Sequence, residues 1–236
     1  YDFRTKTLTP LSEGGKQQLA SFSPDGTKVA FARDNNLFIK NLLDATETQI
    51  TFDGETNNII NGTTDWVYEE EFSFTQAFFW SPNSQRLAFI RFDESDVKEF
   101  QMTYYGSLYP ENYKYKYPKA GENNSIVSVH VYNLADNKTT IVIGSSWPKD
   151  ESLNTDIYIP RIQWTQNPDI LSVQRLNRHQ NHLELLLASA VTGKTKVTYE
   201  EKSEYYVDIT DNLQFLPDGK HYFLTSEKDG YNHIYL

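Results

Sequence analysis

The stretch that decides the fold is LASFSPDGTKVAFARDNNLFIKNL, residues 19–42. It begins with an aromatic strand end, passes through the turn Ser-Pro-Asp-Gly and then enters an alternating apolar run. Proline presets φ for the first corner of such a turn, and Asp-Gly tolerates the conformations of the next corners. The run VAFAR, at 29–33, is short and rich in β-forming residues, which predicts a strand. The stretch therefore predicts antiparallel strands joined by tight turns.

The same pattern recurs three more times, as AFFWSPNSQRLAFIRFDE at 77–94, RIQWTQNPDILSVQRLN at 161–177 and LQFLPDGKHYFLTSEKDGYNHIYL at 213–236. Each unit continues into a third strand and often a fourth. Four antiparallel strands per unit, repeated every 40 to 60 residues or so with insertions, are typical of β-propeller blades, and an ordinary antiparallel sandwich is the alternative. We predict an all-β fold, a β-propeller of four-stranded antiparallel blades. The aromatic anchors are Phe22, Trp80, Trp164 and Phe215, and the blades are expected to open near residues 19, 77, 161 and 213.

These blades account for only part of a ring. Tyr1–Arg4 is typical of the last strand of a preceding blade, and the fourth unit stops at Leu236 after its third strand. A closed propeller usually has at least four blades, and an open one exposes unpaired strand edges. We therefore expect residues 1–236 to be part of a propeller domain, with further chain before and after it.

Composition excludes several classes of protein. The 236 residues carry a formal net charge of −10, with a sequence pI near 5.0 and no basic stripe, which argues against a nucleic-acid partner. The short basic run KYKYPK, at 114–119, is interpreted as a solvated loop. No apolar run approaches the roughly 18 residues that would span a bilayer. The absence of cysteine excludes disulfides, a thiol nucleophile and cysteine-ligated metal sites, and it leaves the compartment open.

A second stretch, DWVYEEEF at 65–72, concentrates carboxylates. Asp65 is suited to cap a short helix within 65–74, after a loop-like segment at 55–64. Successive helical residues point about 100° apart, so at most two of the three glutamates can face one target. Aromatic residues flank them, and we expect some of the carboxylates to be partly desolvated and to favour a cationic partner. A solvated acidic loop and a metal ion are the alternatives, although three consecutive glutamates lack the ligand spacing of a calcium loop.

Catalytic motifs are missing from the sequence. It contains no G-x-S-x-G nucleophile elbow, and its five histidines form no H-E-x-x-H arrangement. His130 alternates within an apolar strand, and His179 and His182 fall in the turn-like segment NRHQNH. From the residues alone, the chain is interpreted as a propeller segment with one acidic aromatic site, without a cofactor, a metal site or a catalytic residue of its own.

Six segments carry a resemblance to a known family: DWVYEEEF, FFWSPNSQRLAFIRFDE, YPKAGENN, VHVYNL, LNRHQNHLEL and SEKDGYNHIYL. With them the chain resembles, over almost its whole length, the N-terminal propeller domain of the dipeptidyl peptidase IV family. The Asp-Trp-Val-Tyr-Glu-Glu-Glu string is the specific part, whereas SPDG turns are common to many propellers. In that family the last two glutamates of the string bind the free α-ammonium group of a peptide substrate. The resemblance implies this function for Glu70 and Glu71, leaves Glu69 outside the pair, and makes Phe72 and Phe74 candidate pocket-wall residues.

The resemblance also implies a larger enzyme. An anchored amino terminus lets only the second peptide bond of a substrate reach the nucleophile, which explains the release of dipeptides, here of the X-Pro or X-Ala type. The Ser-Asp-His set of the family lies in a C-terminal α/β-hydrolase domain that this chain lacks, and the substrate-contacting arginine of the family lies upstream of Tyr1. The implied partners are peptides with a free amino terminus, that hydrolase domain and, as an option, a second copy in a homodimer.

Two classes of function therefore remain open. One is the substrate-gating and amino-terminus-binding propeller of a serine exopeptidase. The other is a non-catalytic propeller used for protein binding, as in inactive relatives of the same family. An intact G-x-S-x-G elbow after Leu236, followed by Asp and His, would support the enzyme. The lack of cysteine departs from the disulfide-bearing vertebrate members, and it favours a bacterial relative in the periplasm or another extracytoplasmic compartment.

Overall fold

The computed structural model describes residues 1–144 and 157–236. Nearly all regular structure in these ranges is β-strand, and their one helix is α1, Trp66–Phe72. The strands are β1 (Gln18–Phe22), β2 (Lys28–Arg33), β3 (Asn36–Asn41), β4 (Glu47–Gln49), β5 (Ile59–Asn61), β6 (Phe78–Trp80), β7 (Arg86–Asp93), β8 (Glu99–Tyr104), β9 (Glu111–Lys116), β10 (Ile126–Asn133), β11 (Lys138–Ile143), β12 (Ile157–Trp164), β13 (Ile170–Asn177), β14 (His182–Ser189), β15 (Thr195–Lys202), β16 (Gln214–Phe215), β17 (Tyr222–Ser226) and β18 (His233–Tyr235). No helix in the described ranges is long and apolar enough to cross a membrane.

The strands form successive antiparallel sheets. The first sheet has the order β1-β2-β3-β4, the third has the order β12-β13-β14-β15, and the fourth contains the three strands β16-β17-β18. The second sheet has the order β11-β10-β7-β5, with β6 also paired to β7. These sheets confirm the prediction of an all-β fold with propeller-type antiparallel blades in a partial ring. No sheet closes on itself in the described ranges.

The repeated turns are closed by equivalent polar side chains. In the first repeat, Asp25 Oδ1 accepts hydrogen bonds from Ser23 Oγ at 2.6 Å and from the backbone N of Thr27 at 3.0 Å. In the second repeat, Asn83 Oδ1 replaces the aspartate and accepts from Ser81 Oγ at 2.8 Å. Short polar side chains that bond to neighbouring groups in this way favour a turn over a continued strand. The repeat in sequence therefore becomes a repeat of hairpins.

Two of the aromatic anchors join one sheet to the sheet before it. Trp80 Nε1 donates to the carbonyl of Ser21 at 3.1 Å, and Trp164 Nε1 donates to the carbonyl of Phe79 at 2.9 Å. Both indole rings are buried, whereas Phe22 at the corresponding position of the first repeat is 68% exposed. Buried tryptophan N–H groups need an acceptor, and here the preceding sheet supplies it.

The core lies between neighbouring sheets. One buried cluster, which includes Leu37 and Phe78, joins the first and second sheets. A larger cluster joins the second and third sheets and includes Phe92 together with Tyr68 and Phe72 of α1. Full burial of such a side chain contributes roughly 1.5–3 kcal/mol. Helix α1 is therefore part of the core and not an attachment to its surface.

The helix interrupts the first strand of the second sheet. β5 and β6 pair with different parts of β7, Ile60 lying opposite Phe92 and Phe79 opposite Ala88. The prediction of a loop over 55–64 is therefore wrong for Ile59–Asn61, whose three residues are all buried. The physical reason is that this short apolar segment gains its partner strand only when β7 lies beside it.

The base of the helical insertion is closed tightly. Thr63 and Gln76 form an antiparallel bridge, and the amide of Ala77 donates to the carbonyl of Gly62 at 2.9 Å. Gly62 has a φ of +78°, and a Cβ there would lie 2.4 Å from Leu37 Cδ2. Only glycine fits this position, because a side chain would be strained and would clash with the core.

A second insertion of the same sheet is a two-stranded hairpin. β8 and β9 pair only with each other, with Phe100 opposite Tyr115, and they lie in sequence between β7 and β10. The interpretation of 114–119 as a loop is wrong for residues 114–116, which belong to β9. Alternating tyrosine and lysine residues are compatible with an exposed β-hairpin as well as with a loop, so this run does not distinguish the two.

Candidate functional site

Helix α1 carries the acidic string and is capped at both ends. Asp65 is the N-cap, with φ −76° and ψ 177°, and its Oδ1 accepts a hydrogen bond from the backbone N of Tyr68 at 3.0 Å. Ser73 is the C-cap and adopts the left-handed conformation, with φ 58°. The predicted short helix and the predicted capping function of Asp65 are both confirmed.

Two acidic groups are buried near the N-terminal end of α1. Asp65 and Glu94 are each 6% exposed, and Asp65 Oδ2 accepts from Ser125 Oγ at 2.6 Å. Burial raises the pKa of Asp65, and the hydrogen bonds from Ser125 and from the helix backbone oppose this shift. Burial, followed by the charge of Asp65, raises the pKa of Glu94 to about 7, against the opposing charge of Lys116. The desolvated carboxylates of this region are therefore these two groups.

The three consecutive glutamates are all exposed. The expectation that flanking aromatic residues partly desolvate Glu69, Glu70 or Glu71 is wrong. Tyr68 and Phe72 turn toward the core, and Trp66 is itself exposed. In the described ranges, none of the three glutamates forms an ion pair, and only Glu71 has a side-chain hydrogen bond, which its Oε1 accepts from Gln180 Nε2 at 2.8 Å. Their carboxylates are therefore accessible to solvent, and none of them is ion-paired within the described ranges.

The inner face of α1 is fixed by two aromatic residues. Tyr68 is fully buried, and its hydroxyl oxygen accepts a hydrogen bond from the backbone N of Ile159 in β12 at 2.8 Å. Its ring meets Phe92 edge-on at a centroid distance of 4.8 Å, and Phe72 meets Tyr158 at 5.2 Å. Rotation of the helix about its axis would break these contacts. The directions in which the glutamates leave the helix are therefore set by the core.

The C-terminal end of α1 is held by Arg161 of β12. Its Nη1 donates to the carbonyl of Phe72 at 3.0 Å, its Nε donates to Asp211 Oδ1 at 2.6 Å, and its guanidinium lies 5.5 Å from the ring centroid of Phe74. The last turn of α1 contains no basic residue of its own. Arg161 therefore supplies the positive charge that a helix C-terminus favours. Sequence reasoning missed this residue, because its partners lie far from it in the chain.

A surface depression of about 430 Å³ lies beside the helix. Glu71 and Phe72 contribute to its lining together with Gln180 and Asp208, which come from the third sheet and from the segment that follows it. Of the two candidate pocket-wall residues, Phe72 lines this depression although its ring lies mostly in the core. Phe74 does not line it and is half-buried against the core.

The described histidines and carboxylates form one group with metal-binding proximity, namely His182, Glu184 and Glu200, whose ligand atoms lie within 4.8 Å of one another. Glu184 is already paired with Arg175, and Glu200 accepts from Lys202 at 2.9 Å. Both carboxylates of this group therefore already have a cationic partner, and the group contains none of the glutamates of α1. His130 lies on β10 as predicted, and burial lowers its pKa to about 4.

Comparison with known proteins assigns the chain to a family. The model of the dipeptidyl peptidase IV N-terminal region matches residues 1–236. The crystal structure of Porphyromonas gingivalis dipeptidyl peptidase 4 superposes with a TM-score of 0.90 at 47% sequence identity, over 100% of this chain and 33% of that one. A putative dipeptidyl aminopeptidase IV from Bacteroides ovatus gives a TM-score of 0.76 at 31% identity, over 92% of this chain and 29% of that one.

Sequence relatives agree with the structural neighbours. A probable dipeptidyl-aminopeptidase B of Talaromyces stipitatus is 31% identical over 263 residues, which cover 99% of this chain and 28% of the relative. A probable dipeptidyl peptidase 4 of Arthroderma benhamiae is 30% identical, over 100% of this chain and 31% of the relative. The chain thus spans about a third or less of the length of these proteins. With its blades, its capped acidic helix and a match over all its residues, the chain belongs to the family of dipeptidyl peptidase IV N-terminal regions.

Proposed function

We propose that this chain is the substrate-gating part of a dipeptidyl peptidase, in which Glu70 and Glu71 bind the free α-ammonium group of a peptide. The observation that carries the proposal is the display of exposed carboxylates, without an ion pair in the described ranges, on a helix fixed by the core. Membership of the family and the dipeptidyl peptidase names of the relatives support it. Glu69 remains outside the pair.

The arrangement of charge favours a cationic ligand. Glu70 and Glu71 lie in the C-terminal half of α1, where the helix dipole disfavours negative charge, and like charges on neighbouring residues repel. The contacts of the buried Tyr68 and of the partly exposed Arg161 hold the helix in place in spite of this electrostatic cost. A bound ammonium group relieves the repulsion, because each charge-assisted hydrogen bond to it contributes roughly 1.5–3 kcal/mol.

Binding at the amino terminus determines which bond is cleaved. When the ammonium group is held at α1, the substrate extends from a fixed point, and the second peptide bond is the one presented to a nucleophile at a fixed distance. The nucleophile belongs to a C-terminal α/β-hydrolase domain of the full-length protein, and the products are X-Pro or X-Ala dipeptides. Phe72 contributes an apolar part of the adjacent wall, and Phe74 supports it from the core side.

The test uses the full-length protein that contains this chain, with the variants Glu69→Gln, Glu70→Gln and Glu71→Gln. Each substitution keeps the size of the side chain and removes its charge. Loss of one charge-assisted contact corresponds to a fall of about 10- to 150-fold in kcat/KM for a glycyl-prolyl chromogenic substrate. Glu69→Gln is the matched control and is expected to change kcat/KM far less.

Three outcomes are decisive. Large losses at Glu70 and Glu71 with little change at Glu69 support a specific pair of ammonium ligands. Equal, small losses of kcat/KM at all three positions, which become smaller with added salt, would mean that the glutamates act only through their general negative charge, and this would contradict the proposal. A full-length protein that binds peptides through the same glutamates without cleaving them is instead a non-catalytic binding propeller.

Location in the periplasm and assembly into a homodimer belong to the same proposal and are tested by fractionation and by light scattering.

A further inference from the structure

A short turn of the third sheet reaches the acidic helix. It joins β13 to β14 and is organised by Asn177, whose Oδ1 accepts hydrogen bonds from the backbone N of Asn181 and of His182, both at 3.0 Å. Asn177 Nδ2 donates to Asn181 Oδ1 at 2.9 Å. An asparagine that bonds to the backbone a few residues ahead fixes the shape of a turn. Gln180 lies inside this turn.

The backbone of Gln180 is fixed on both sides. Its amide donates to the carbonyl of Asn177 at 2.9 Å, and its carbonyl accepts from the amide of Val207 at 2.7 Å. Its φ of +56° lies in the left-handed region, which a residue with a long side chain adopts only when its surroundings require it. The side chain is half-buried, so it leaves a rigid backbone in a restricted direction.

That direction leads to the acidic string. Gln180 Nε2 lies 2.8 Å from Glu71 Oε1, although the two residues are 109 positions apart in the sequence. An ionised carboxylate only accepts hydrogen bonds, so the amide nitrogen must face it. A glutamine orients the carboxylate without neutralising it, whereas an arginine or lysine at this place would form an ion pair and compete with a cationic ligand.

We propose that Gln180 is a positioning residue for peptide binding, which holds Glu71 in place and leaves its second carboxylate oxygen for the substrate ammonium group. This inference rests on the proposed function of Glu70 and Glu71. The two glutamates differ in this respect. Glu71 is oriented before the substrate arrives, whereas the Glu70 side chain has no hydrogen bond to the described residues, and in this proposal the ligand orients it. Orientation in advance lowers the entropic cost of binding.

The experiment compares Gln180→Asn and Gln180→Met in the full-length protein, in the parent background and in the Glu71→Gln background. Asparagine keeps the amide and tolerates a positive φ, but it is one methylene too short to reach Glu71. Methionine keeps the length and removes the donor. Gln101→Asn is the matched control, because Gln101 is an exposed glutamine of β8. KM and kcat are measured separately with a glycyl-prolyl substrate, and thermal midpoints verify folding.

We expect both Gln180 variants to raise KM by about 3- to 10-fold, the size of one hydrogen bond, with kcat within about twofold. In the Glu71→Gln background the same substitutions are expected to change KM by less than about twofold, because the oriented charge is already gone. Gln101→Asn is expected to change neither constant.

Two results overturn the inference. Equal effects of the Gln180 substitutions in both backgrounds mean that Gln180 acts through general stability, and an unchanged KM in the parent background means that Glu71 needs no positioning. In both cases a strong effect of Glu71→Gln alone leaves the proposed function intact. An unchanged kcat/KM in the Glu71→Gln variant would contradict both the proposed function and this inference.

Discussion

Two insertions leave the second sheet, and both are rich in aromatic residues. Helix α1 leaves between β5 and β6, and its residues Tyr68 and Phe72 are buried. The hairpin β8–β9 leaves between β7 and β10, and Tyr105, Leu108 and Tyr109 at its tip are each at least 80% exposed. Aromatic content is therefore not what decides whether an insertion of this sheet joins the core.

The difference lies in where the polar partners come from. The helix is held through Ser125, the backbone of Ile159 and Arg161, which are 60 to 91 residues distant from their bonding partners. The hairpin is held at its base mainly by nearer groups, such as Lys116 Nζ, which donates to the carbonyl of Val97 at 2.7 Å. Its long-range side-chain hydrogen bond is the longer one from Asn57 Nδ2 to the carbonyl of Lys114, at 3.5 Å. Long-range polar contacts fix an element to the body of the protein, which is the condition for presenting ligand groups in a defined direction.

The largest expected effect contrasts one tyrosine from each insertion. Tyr68→Ala removes a fully buried ring and leaves the amide of Ile159 without its acceptor, so we expect a loss of about 3–5 kcal/mol in the free energy of unfolding. Tyr109→Ala at the exposed tip is expected to stay within about 0.5 kcal/mol. Urea denaturation of both variants measures the contrast, and similar losses would show that the hairpin tip is packed as firmly as the helix.

The next largest effect concerns Glu94, the buried glutamate near the N-terminal end of α1. The pKa of Glu94 is raised from 4.5 to about 7, so the folded state binds this proton more tightly than the unfolded state does. The contribution of Glu94 to stability is therefore favourable at low pH and is lost as the pH rises from about 4.5 to about 7.

Glu94→Gln keeps the neutral form at every pH. We expect it to raise the free energy of unfolding by roughly 2–4 kcal/mol at pH 8 and to leave it nearly unchanged at pH 4.5. Glu99→Gln, on the exposed strand β8, is the control and is expected to change stability by less than about 0.5 kcal/mol at both pH values. A stabilisation by Glu94→Gln that does not vary with pH would show that ionisation is not its cause.

The smallest expected effect comes from a comparison of two basic side chains, Arg161 and Lys98. Arg161→Met removes the donor to the last turn of α1, and because Arg161 is partly exposed we expect a loss of about 1–2 kcal/mol. Lys98→Met removes an exposed ion pair with Glu122 near the base of the hairpin and is expected to cost less than about 0.5 kcal/mol. Equal losses would mean that Arg161 contributes only as a surface charge and does not fix the helix.

The sequence by itself determined the elements whose signals are local. The turn at 23–27 follows from proline, glycine and a short acidic side chain within a few residues, and the run at 29–33 after it forms a strand as predicted. The equivalent run of the second repeat, at 87–91, also forms a strand. The short helix and its cap at Asp65 are likewise set by neighbouring residues. Turn chemistry, capping and alternation of apolar residues act over a few positions, so they can be recognised in the sequence without knowledge of the tertiary contacts.

Only the tertiary structure decided which groups are buried and which groups meet. Residues 59–61 become a strand because β7 lies beside them. Glu69–Glu71 are exposed because the core takes up Tyr68 and Phe72 on the opposite face of the helix. Arg161 reaches the end of α1 across 89 residues, and Gln180 reaches Glu71 across 109. Hydrogen bonds of this range exist only after the blades have packed side by side, and no spacing within the sequence encodes their geometry.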